Sequence, residues 1–590
     1  MSLAQRWTWD LDAPRDRLWQ YVADTDWVNR HAGLPRISAR YEALPGGGTR
    51  RFASFASGPL RVEWEELPTV WQVPSFFEVE RIYRRGPLAR FFSRTALESS
   101  GPDRTSVVVD VELRASSRFV EPLLPLLAAH GKRGANHAFR LAATLARRNE
   151  AALAPMRKTD TGPWQVLSDA GVDADVVAKL AAFVDSADDR DLQRIRPYEL
   201  ADAWNLSRRT VLSAFLTATR VGLFNLHWNV LCPGCRGPSP PMESLGELHR
   251  GYHCEACNLP FDAAFDRSVE VTFDARPLGR RGETGLFCIA NPQRSGHVYA
   301  QTSVAAHDER ERAVELEPGS YQINAGTSVG TFVSNDDEVV RDLTATIAPD
   351  GSVEVAAFVG SGDVRLRIVN RSDRPAVVRV ENGRWPDTIA TAAAVTALQE
   401  FRDLFSSEVL APGLDLGIET LAVLFTDVVG STAIYSKTGD APAFRIVADH
   451  FDVMRETVAK HEGAIVKTIG DAVMAAFADP LRCLEAALDL DARVQTITAA
   501  GEPLRLRVGF HVGPCIAMRA NDRIDYFGTT VNLAARLQKL AGAGQVTLAR
   551  SVAQRPAIAA RLRGLSTAVA NETLEIKGFP QRIDVVRIFT

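Results

Sequence analysis

Two apolar runs near the C-terminal end restrict the fold of this chain more than any other feature. Residues 464–469 (AIVKTI) and 472–477 (AVMAAF) are separated only by Gly470 and Asp471, and a Gly-Asp pair between apolar runs is typical of a tight β-hairpin. A third apolar run at 421–425 (LAVLF) leads into Asp427 and then into a Gly-Ser-Thr turn. If these strands are neighbours in one sheet, Asp427 and Asp471 lie close together at its edge.

Two convergent carboxylates indicate a metal site. Their hard oxygen atoms suit Mg²⁺ or Mn²⁺ carried by a nucleoside triphosphate. Two such ions about 4 Å apart stabilise both the attacking and the leaving oxygen of a phosphoryl transfer. Either Asp alone is typical of a turn, but the pair in this order is better explained by function. We therefore predict that Asp427 and Asp471 bind two ions per site.

Three segments of this region, FTDVVGST, VKTIGDAVMAAF and IDYFGTTVNLAARL, occur in this order. Together they strongly resemble the catalytic domain of class III nucleotidyl cyclases over residues 418–590. The resemblance implies a ferredoxin-like α+β fold that is active as a head-to-tail dimer with its sites at the interface. It also implies the reaction, in which a nucleoside triphosphate is converted to a cyclic nucleotide and pyrophosphate.

The resemblance assigns the choice of substrate to two further residues. Lys467 in VKTIGD and Asp525 in IDYFG match the pair that selects the purine. An ammonium group that reaches adenine N1 and a carboxylate that accepts from the 6-amino group favour adenine, because guanine presents the opposite pattern on that edge. Related enzymes that use GTP typically have other residues, such as Glu and Cys, at these places. The expected substrate is therefore ATP.

Three more residues match family positions that contact the rest of the nucleotide. Asn532 matches the residue that orients the ribose, and Arg536, one helical turn later, matches the residue that stabilises charge on the α-phosphate in the transition state. Lys577 in EIKGFP matches a lysine that contacts the terminal phosphates. Because all these positions are filled in one chain, we expect a homodimer with two working sites.

Three other functions are alternatives to an adenylate cyclase. A guanylate cyclase is one alternative, although Lys467 and Asp525 argue against it. A ligand-sensing or DNA-binding regulator with a vestigial cyclase domain is another, although the complete set of catalytic residues argues against lost activity. A diguanylate cyclase would need a GG-acidic-acidic-F motif, and the sequence contains none.

Four cysteines in the middle of the chain have the spacing of a zinc ribbon. Cys232 and Cys235 form one CxxC pair, and Cys254 and Cys257 form a second pair further along. The alternative is four unliganded thiols. Because a closed site of four thiolates has no open coordination position, we predict structural Zn²⁺ over residues 232–262 rather than a catalytic metal.

The first part of the chain, residues 1–150, resembles the helix-grip fold of START-type proteins. The stretch DAPRDRLWQYVADTDWVNRHAGLP is typical of the entry to such a domain. Residues 109–114 (VDVELR) alternate apolar and polar side chains as a half-buried strand does, and a long helix is expected over 121–148. Folds of this type usually enclose an apolar cavity, which would suit a small apolar ligand. The alternative is that side chains fill the cavity.

Residues 164–231 are expected to be helical and resemble a winged helix. Ser207 is typical of a helix N-cap, and Gly222 ends that helix before a strand. Arg208 and Arg209 begin the helix that would contact DNA, but five acidic residues lie close by: Asp188, Asp189, Asp191, Glu199 and Asp202. We therefore favour a protein-interaction or spacer role over nucleic-acid binding.

Two different patterns follow each other between the cysteines and the catalytic region. From 263 to 385, apolar runs recur between Pro-Gly, Asp-Gly and Asn-Gly turns, which predicts an all-β sandwich. A single linker helix is then expected over residues 388–410, where Ala394, Leu398, Phe401 and Phe405 have helical spacing. We hypothesise that the N-terminal regions sense a ligand or partner and adjust the cyclase dimer through this helix.

The length fits several domains, and the patterns above together with the resemblance imply a multidomain α+β protein. The chain has 590 residues, enough for several domains, and its net charge of −4 with a pI near 6.3 gives no global preference for polyanions. No apolar stretch approaches the ~20 residues that span a bilayer, and the N-terminus lacks the apolar core of a signal peptide. We therefore predict a soluble, cytoplasmic protein without a membrane span.

Overall fold

The computed structural model describes residues 2–44, 48–147, 162–187, 191–278, 285–326, 328–499, 501–565, 569–576, 579 and 581–589. Residues 148–161, between the first two regions, and Lys577 lie outside these described residues. Of the helices described, none combines the length and the apolar character needed to cross a bilayer.

The N-terminal region is an antiparallel sheet covered by one long helix. Its elements are β1 (Ser2–Leu11), α1 (Arg15–Val22), α2 (Thr25–His31), β2 (Ser38–Ala43), β3 (Thr49–Ser57), β4 (Leu60–Glu66), β5 (Val70–Gln72), β6 (Phe76–Arg85), β7 (Leu88–Gly101), β8 (Arg104–Ala115) and α3 (Leu124–Arg147). Strands β1 and β8 pair along their length, and alternate side chains of β8 are buried, as the alternation of apolar and polar residues predicts.

Large side chains fill the space between this sheet and α3. Trp9 and Phe139 meet edge to face with ring centroids 5.1 Å apart, and Trp19 packs on Phe77 at 6.1 Å. Together with Trp7 they belong to one buried core. The described residues at this place therefore favour an interior filled by side chains over the ligand cavity that the resemblance implies.

The middle region combines helices with two short β-ribbons. Its elements are α4 (Gly162–Asp169), α5 (Ala174–Ser186), α6 (Pro197–Ala203), α7 (Arg208–Arg220), β9 (Asn225–Val230), β10 (Gly251–Cys254), β11 (Leu259–Asp262) and β12 (Val269–Asp274). The sequence predicts that residues 269–273 begin the β-sandwich, but β12 pairs with β9 instead. All residues of β12 are buried, because Phe273 stacks on Phe215 of α7 at 4.9 Å and Val271 donates to the carbonyl of Ala390.

The strands that follow form two packed sheets. They are β13 (Val298–Val304), β14 (Glu309–Leu316), β15 (Gly319–Ala325), β16 (Ser328–Asn335), β17 (Asp342–Ile347), β18 (Val353–Val355), β19 (Phe358–Gly360), β20 (Gly362–Asn370) and β21 (Ala376–Asn382). Strands β14, β20, β17 and β18 form one sheet, which shares a core with the other. Because β13 also pairs with β5 through Ala300 and Gln301, that other sheet is continuous with the N-terminal one and has 13 strands within the described chain.

The connection to the C-terminal region is not the single helix predicted over 388–410. It contains two short helices, α8 (Ala392–Thr396) and α9 (Gln399–Leu404), because Leu398 between them has an extended backbone. Arg402 donates from Nε to the carbonyl of Thr396 at 2.8 Å, which satisfies an acceptor at the end of α8. Phe401 packs edge to face on Trp228 at 6.0 Å, so it is buried against the middle region rather than along one helical seam.

The C-terminal region is an α+β layer built on a mostly antiparallel sheet. Its elements are β22 (Asp415–Val428), α10 (Ser431–Thr438), α11 (Asp440–Lys460), β23 (Gly463–Ile469), β24 (Ala472–Phe477), α12 (Pro480–Val494), β25 (Thr498–Ala499), β26 (Glu502–Pro503), β27 (Leu506–Ala520), β28 (Arg523–Phe527), α13 (Thr529–Leu540), β29 (Gln545–Ala549), α14 (Arg550–Ala553), α15 (Pro556–Arg563), β30 (Val569–Leu574) and β31 (Ile583–Phe589). The strand order is β23-β24-β22-β27-β29-β31-β30, and β28 pairs with β27. Helices α11 and α12 pack on one face of this sheet, and α13 packs on the other.

Two glycines let α13 approach its sheet closely. A Cβ atom at Gly509 would lie 2.0 Å from the backbone nitrogen of Gln538, and one at Gly513 would lie 2.8 Å from Oγ1 of Thr530. A larger residue at either position would push the helix away. This close packing fixes where α13 presents its side chains relative to the strands.

Candidate active site

Asp427 and Asp471 lie at the same edge of the catalytic sheet. Asp427 is near the end of β22, and Asp471 is in the turn between β23 and β24, where Gly470 has a φ of 65° that glycine adopts without strain. Strands β22 and β24 are neighbours, with Thr426 opposite Val473. The register therefore brings the two carboxylates together at the same end of adjacent strands.

The electrostatics of these two acids suit a cation. Burial raises the pKa of Asp427, and the nearby charge of Asp471 raises it further, while Arg507 opposes the shift. Oδ2 of Asp471 is buried and accepts no hydrogen bond from a described residue. Two adjacent carboxylates that repel each other, one with an unused oxygen, fit a divalent ion with oxygen ligands.

Lys467 and Asp525 form an ion pair within one protomer. Nζ of Lys467 in β23 lies 2.5 Å from Oδ2 of Asp525 in β28. The other carboxylate oxygen, Oδ1, accepts a hydrogen bond of 2.8 Å from the backbone nitrogen of Tyr526. The ammonium group also lies over the ring of Phe527, 5.3 Å from its centroid. The lysine side chain is 36% exposed, whereas the side chain of Asp525 is only 10% exposed.

Asn532 and Arg536 lie one turn apart on the exposed face of α13. The helix begins at Thr529, directly after Gly528, whose φ of 136° suits the sharp change from strand to helix. The buried face of the same helix includes Gln538, which lies beside Asp427. Around the helix axis Arg536 is about 160° and Asn532 about 120° from Gln538, so neither lies on the face through which Gln538 contacts Asp427.

The structure adds His450 to the surroundings of the two acids. His450 in α11 is wholly buried, and within the described chain neither of its ring nitrogens has a hydrogen-bond partner. Burial lowers the pKa of His450 to about 4, although the charge of Asp471 opposes the shift. Its signal in the sequence is a polar residue on an otherwise apolar helix face, four positions before Met454.

The four cysteines of the middle region converge on one point. Their Sγ atoms all lie within 4.8 Å of one another, and those of Cys235 and Cys254 are 3.7 Å apart. Tetrahedral Zn²⁺ with bonds of about 2.3 Å needs sulfur atoms about 3.8 Å apart, so the arrangement fits this metal. The backbone N–H groups of Gly234 and Gly237 donate to Sγ of Cys232 and Cys235, which favours thiolate charge.

Two parts of the chain match known family models. Residues 417–585 match the adenylate and guanylate cyclase catalytic domain. Residues 159–285 match a family of unknown function, DUF5939, which includes the helices of the middle region and the cysteine cluster. The catalytic match contains the strands and helices that hold Asp427, Asp471, Lys467, Asp525 and Arg536.

Similar proteins include both kinds of cyclase. An uncharacterized protein of Mycobacterium tuberculosis, Rv2212, is 28% identical in an alignment of 278 positions that covers 43% of this chain and 69% of that protein. Adenylate cyclase 1 of Rhizobium meliloti is 27% identical over 29% of this chain and 30% of that protein, and guanylate cyclase 2G of Rattus norvegicus is 29% identical over 27% and 16%. The solved adenylyl cyclase CyaB from P. aeruginosa is 22% identical and covers 30% of this chain and 96% of that chain, with a TM-score of 0.26. The C-terminal part of this chain, residues 417–585, belongs to the adenylate and guanylate cyclase catalytic domain family.

Proposed function

We propose that the chain is an adenylate cyclase, which converts ATP to 3′,5′-cyclic AMP and pyrophosphate. The observation that supports this choice of substrate is the ion pair of Lys467 and Asp525, in which a donor and an acceptor are adjacent. The pair complements N1 and the 6-amino group of adenine. Guanine has a donor at N1 and an acceptor at position 6, so it meets the wrong group at each place.

Asp427 and Asp471 are proposed to hold the divalent cations, Mg²⁺ or Mn²⁺, that accompany the nucleotide. When bound, such ions neutralise phosphate charge and acidify the ribose 3′-hydroxyl. The mutual repulsion of the two acids and the unused Oδ2 of Asp471 support this role. The contribution of the chain is a preorganised pair of carboxylates on neighbouring strands.

The proposed reaction is an in-line displacement at the α-phosphorus. The ribose 3′-oxygen forms the new bond, and the bond to the oxygen that bridges to the β-phosphate breaks, so pyrophosphate leaves. Asn532 would orient the ribose, and Arg536 would donate to the α-phosphate oxygens as charge develops on them. Both residues are exposed on α13 and are thus accessible to a nucleotide. Lys577, the expected contact for the terminal phosphates, remains a proposal from the resemblance alone.

The proposed active unit is a homodimer with two composite sites. Arg536 lies on the side of α13 opposite to Gln538, the residue beside Asp427. A second copy, arranged head to tail, would bring its own Arg536 to the acids of the first. Because one chain has every residue of the set, both sites of such a dimer would be functional.

We also propose that Cys232, Cys235, Cys254 and Cys257 bind structural Zn²⁺. The separation of their Sγ atoms supports tetrahedral coordination. Four thiolates leave no position for water or substrate, so the role of the ion would be to stabilise the fold around the hairpin of β10 and β11.

The regions before the catalytic domain are proposed to regulate it. Side chains of the middle region, the linker helices and the catalytic sheet belong to one buried core, which supports mechanical coupling between them. A rearrangement of the middle region would therefore displace groups that pack against the catalytic strands.

One assay tests the proposed activity. The purified full chain is incubated with ATP or with GTP, each with Mg²⁺ or Mn²⁺, and the cyclic product is measured. We expect kcat/KM for ATP to exceed that for GTP by about 100-fold or more, because a site built to hydrogen-bond one base leaves polar groups unpaired with another. A preference for GTP would indicate guanylate cyclase activity instead. Absence of product with both nucleotides and both metals would refute the proposal.

A further inference from the structure

Helix α9 contacts both strands that contain the purine-selecting pair. Strand β23 contains Lys467, and β28 contains Asp525. Two side chains of α9, Gln399 and Arg402, are three positions apart and hence on the same side of the helix, and they reach these two strands. The helix itself precedes residues 417–585, the part that matches the catalytic family. The purine pair is thus supported from outside the family-matched domain.

Arg402 holds β28 at the two residues that flank Asp525. Its Nη1 donates to the carbonyl of Ile524 at 3.1 Å, and its Nη2 donates to the hydroxyl of Tyr526 at 3.4 Å. The guanidinium also lies over the ring of Tyr526, 5.7 Å from its centroid. Tyr526 is wholly buried, so Arg402 holds the backbone before Asp525 and a buried side chain directly after it.

Gln399 holds the outer edge of β23. This strand is the last one at its end of the described sheet, and the backbone N–H of Ile465 donates to Oε1 of Gln399 at 2.8 Å. The pairing of β23 with β24 is irregular between Ile465 and Lys467, and such a bulge changes the direction of the side chain that follows it. Gln399 is oriented in turn by Asp403, which accepts from its Nε2 at 2.9 Å.

Other residues of α9 attach the helix to the middle region. Ser213 of α7 donates to the carboxylate of Glu400 at 2.5 Å, and Phe401 packs edge to face on Trp228 of β9. One short helix is therefore fixed on one side to the middle region and on the other side to β23 and β28. A shift or rotation of α9 changes the position of one purine-selecting strand relative to the other.

We propose that Arg402 and Gln399 are positioning residues that set the separation of Lys467 and Asp525, and thereby the purine selectivity of the cyclase. This inference rests on the proposed function. Recognition of adenine needs the ammonium and the carboxylate at the spacing of N1 and the 6-amino group. If either strand is released, the nucleotide still binds through its phosphates, but the base is selected less well. Loss of Arg402 or Gln399 therefore affects the choice of base more than the chemistry at the α-phosphorus.

The test compares Arg402→Ala and Gln399→Ala with the matched control Arg561→Ala. Arg561 in α15 forms an ion pair of 2.6 Å with Glu485 of α12, so the control removes an arginine contact of the catalytic region that does not involve α9. We measure kcat and KM for ATP and for GTP on the full chain. The ratio of kcat/KM for ATP to that for GTP should fall about tenfold in both test variants, mainly through KM for ATP, on the scale of one lost hydrogen bond. Arg561→Ala should keep the wild-type ratio.

Equal losses with ATP and GTP, at an unchanged ratio, would overturn the inference, because they indicate a role in folding alone. Arg402→Lys keeps the charge and should recover part of the ratio of kcat/KM for ATP to that for GTP. If Arg402→Ala does not fold, Arg402→Lys and Gln399→Ala together test the inference. The two proposals fail in different ways. A wild-type chain without cyclase activity refutes the proposed function. If the wild type prefers ATP and Arg402→Ala, Gln399→Ala and Arg402→Lys all keep that preference, only the role of α9 is refuted.

Discussion

Lys467 and Asp525 meet at 2.5 Å although 58 positions separate them in the chain. The contact joins β23 and β28, which are not neighbours in the described sheet. It therefore depends on the shape of the whole sheet and on the helix that supports both strands. An ion pair with a lysine that is 36% exposed contributes little to stability by itself. Function is accordingly the better explanation for its presence.

Exchange of this pair should exchange the substrate. In the double variant Lys467→Glu with Asp525→Cys, we expect cyclisation of ATP to fall by about 100-fold or more and cyclisation of GTP to rise. The reason is that Glu accepts from guanine N1, and the cysteine removes a carboxylate that would repel the guanine O6 atom. Initial rates with both nucleotides measure the change.

The matched control for this exchange is Lys460→Ala. Lys460 is an exposed lysine whose Nζ is 2.8 Å from Asp489, and its loss should leave the preference for ATP intact. If the double variant also kept the wild-type preference, Lys467 and Asp525 would not be the residues that select the base.

His450 should make the chain less stable as the pH falls from about 6.5 to about 4. Burial lowers the pKa of this ring in the folded chain, so the unfolded chain binds more protons in this interval. The stability that depends on the neutral ring of His450 is therefore fully present above the ordinary histidine pKa. It is lost as the pH falls through the lower pKa that His450 has in the folded chain. Between pH 7 and pH 5 the change is on the order of 2 kcal/mol.

The variant His450→Leu should remove the share of this pH dependence that His450 contributes, because an apolar side chain binds no proton. His297 and His511, for which burial also lowers the pKa, to about 3 and about 4, should keep their own shares. Thermal unfolding at pH 7 and at pH 5 measures the effect, and the decrease in Tm should be smaller in the variant than in the wild type. The control is His307→Leu, at an exposed histidine that lies 2.9 Å from Asp373, and it should keep the wild-type decrease. Equal decreases in the wild type and in His450→Leu would show that another group is responsible.

Removal of one cysteine should release the metal proposed for the middle region. We expect about one zinc ion per wild-type chain and a small fraction of that in Cys254→Ser, together with a lower Tm, because three ligands hold the ion poorly. Metal analysis of the purified proteins measures the zinc content, and thermal unfolding measures Tm. Cys515→Ala, which changes a buried cysteine outside the cluster, should retain the ion. A wild-type chain without zinc would contradict the assignment.

The juxtaposition of Asp427 and Asp471 could be predicted because it depends on short-range features. A glycine-containing turn fixes the position of Asp471 relative to β24, and the neighbouring strand β22 ends one residue after Asp427. By contrast, the break at Leu398 has no local cause, since leucine favours helices and the apolar residues around it have helical spacing. Burial of Phe401 against Trp228, which is far away in the sequence, accompanies the break.

The same distinction explains what the sequence did not reveal about the purine pair. The roles proposed for Lys467 and Asp525 come from their motifs, but the support by Arg402 and Gln399 depends on contacts between regions that no local pattern connects. The pairing of β12 with β9, and that of β5 with β13, are likewise contacts between distant segments. Alternation and periodicity predict the elements, whereas packing decides which elements meet.

Two inactive variants should restore activity when they are mixed. Asp427→Ala removes a metal acid, and Arg536→Ala should lower turnover by about 10²–10³ through loss of one preorganised donor. In a mixed dimer, the acids of the Arg536→Ala protomer meet the intact Arg536 of the other, so one complete site forms. Random association places half of the chains in mixed dimers, and each mixed dimer has one working site of two. We therefore expect about a quarter of wild-type activity after co-expression.

The control for this mixture is the pair Asp427→Ala and Asp471→Ala, because both residues belong to the same half of the composite site. Each site of that mixed dimer lacks one metal acid, so activity should stay at the level of the single variants. If the mixture with Arg536→Ala also stayed inactive while size-exclusion chromatography detected dimers, the acids and Arg536 would have to act within one protomer. The opposed positions of Arg536 and Gln538 on α13 argue against such a site, because Gln538 is the residue beside Asp427.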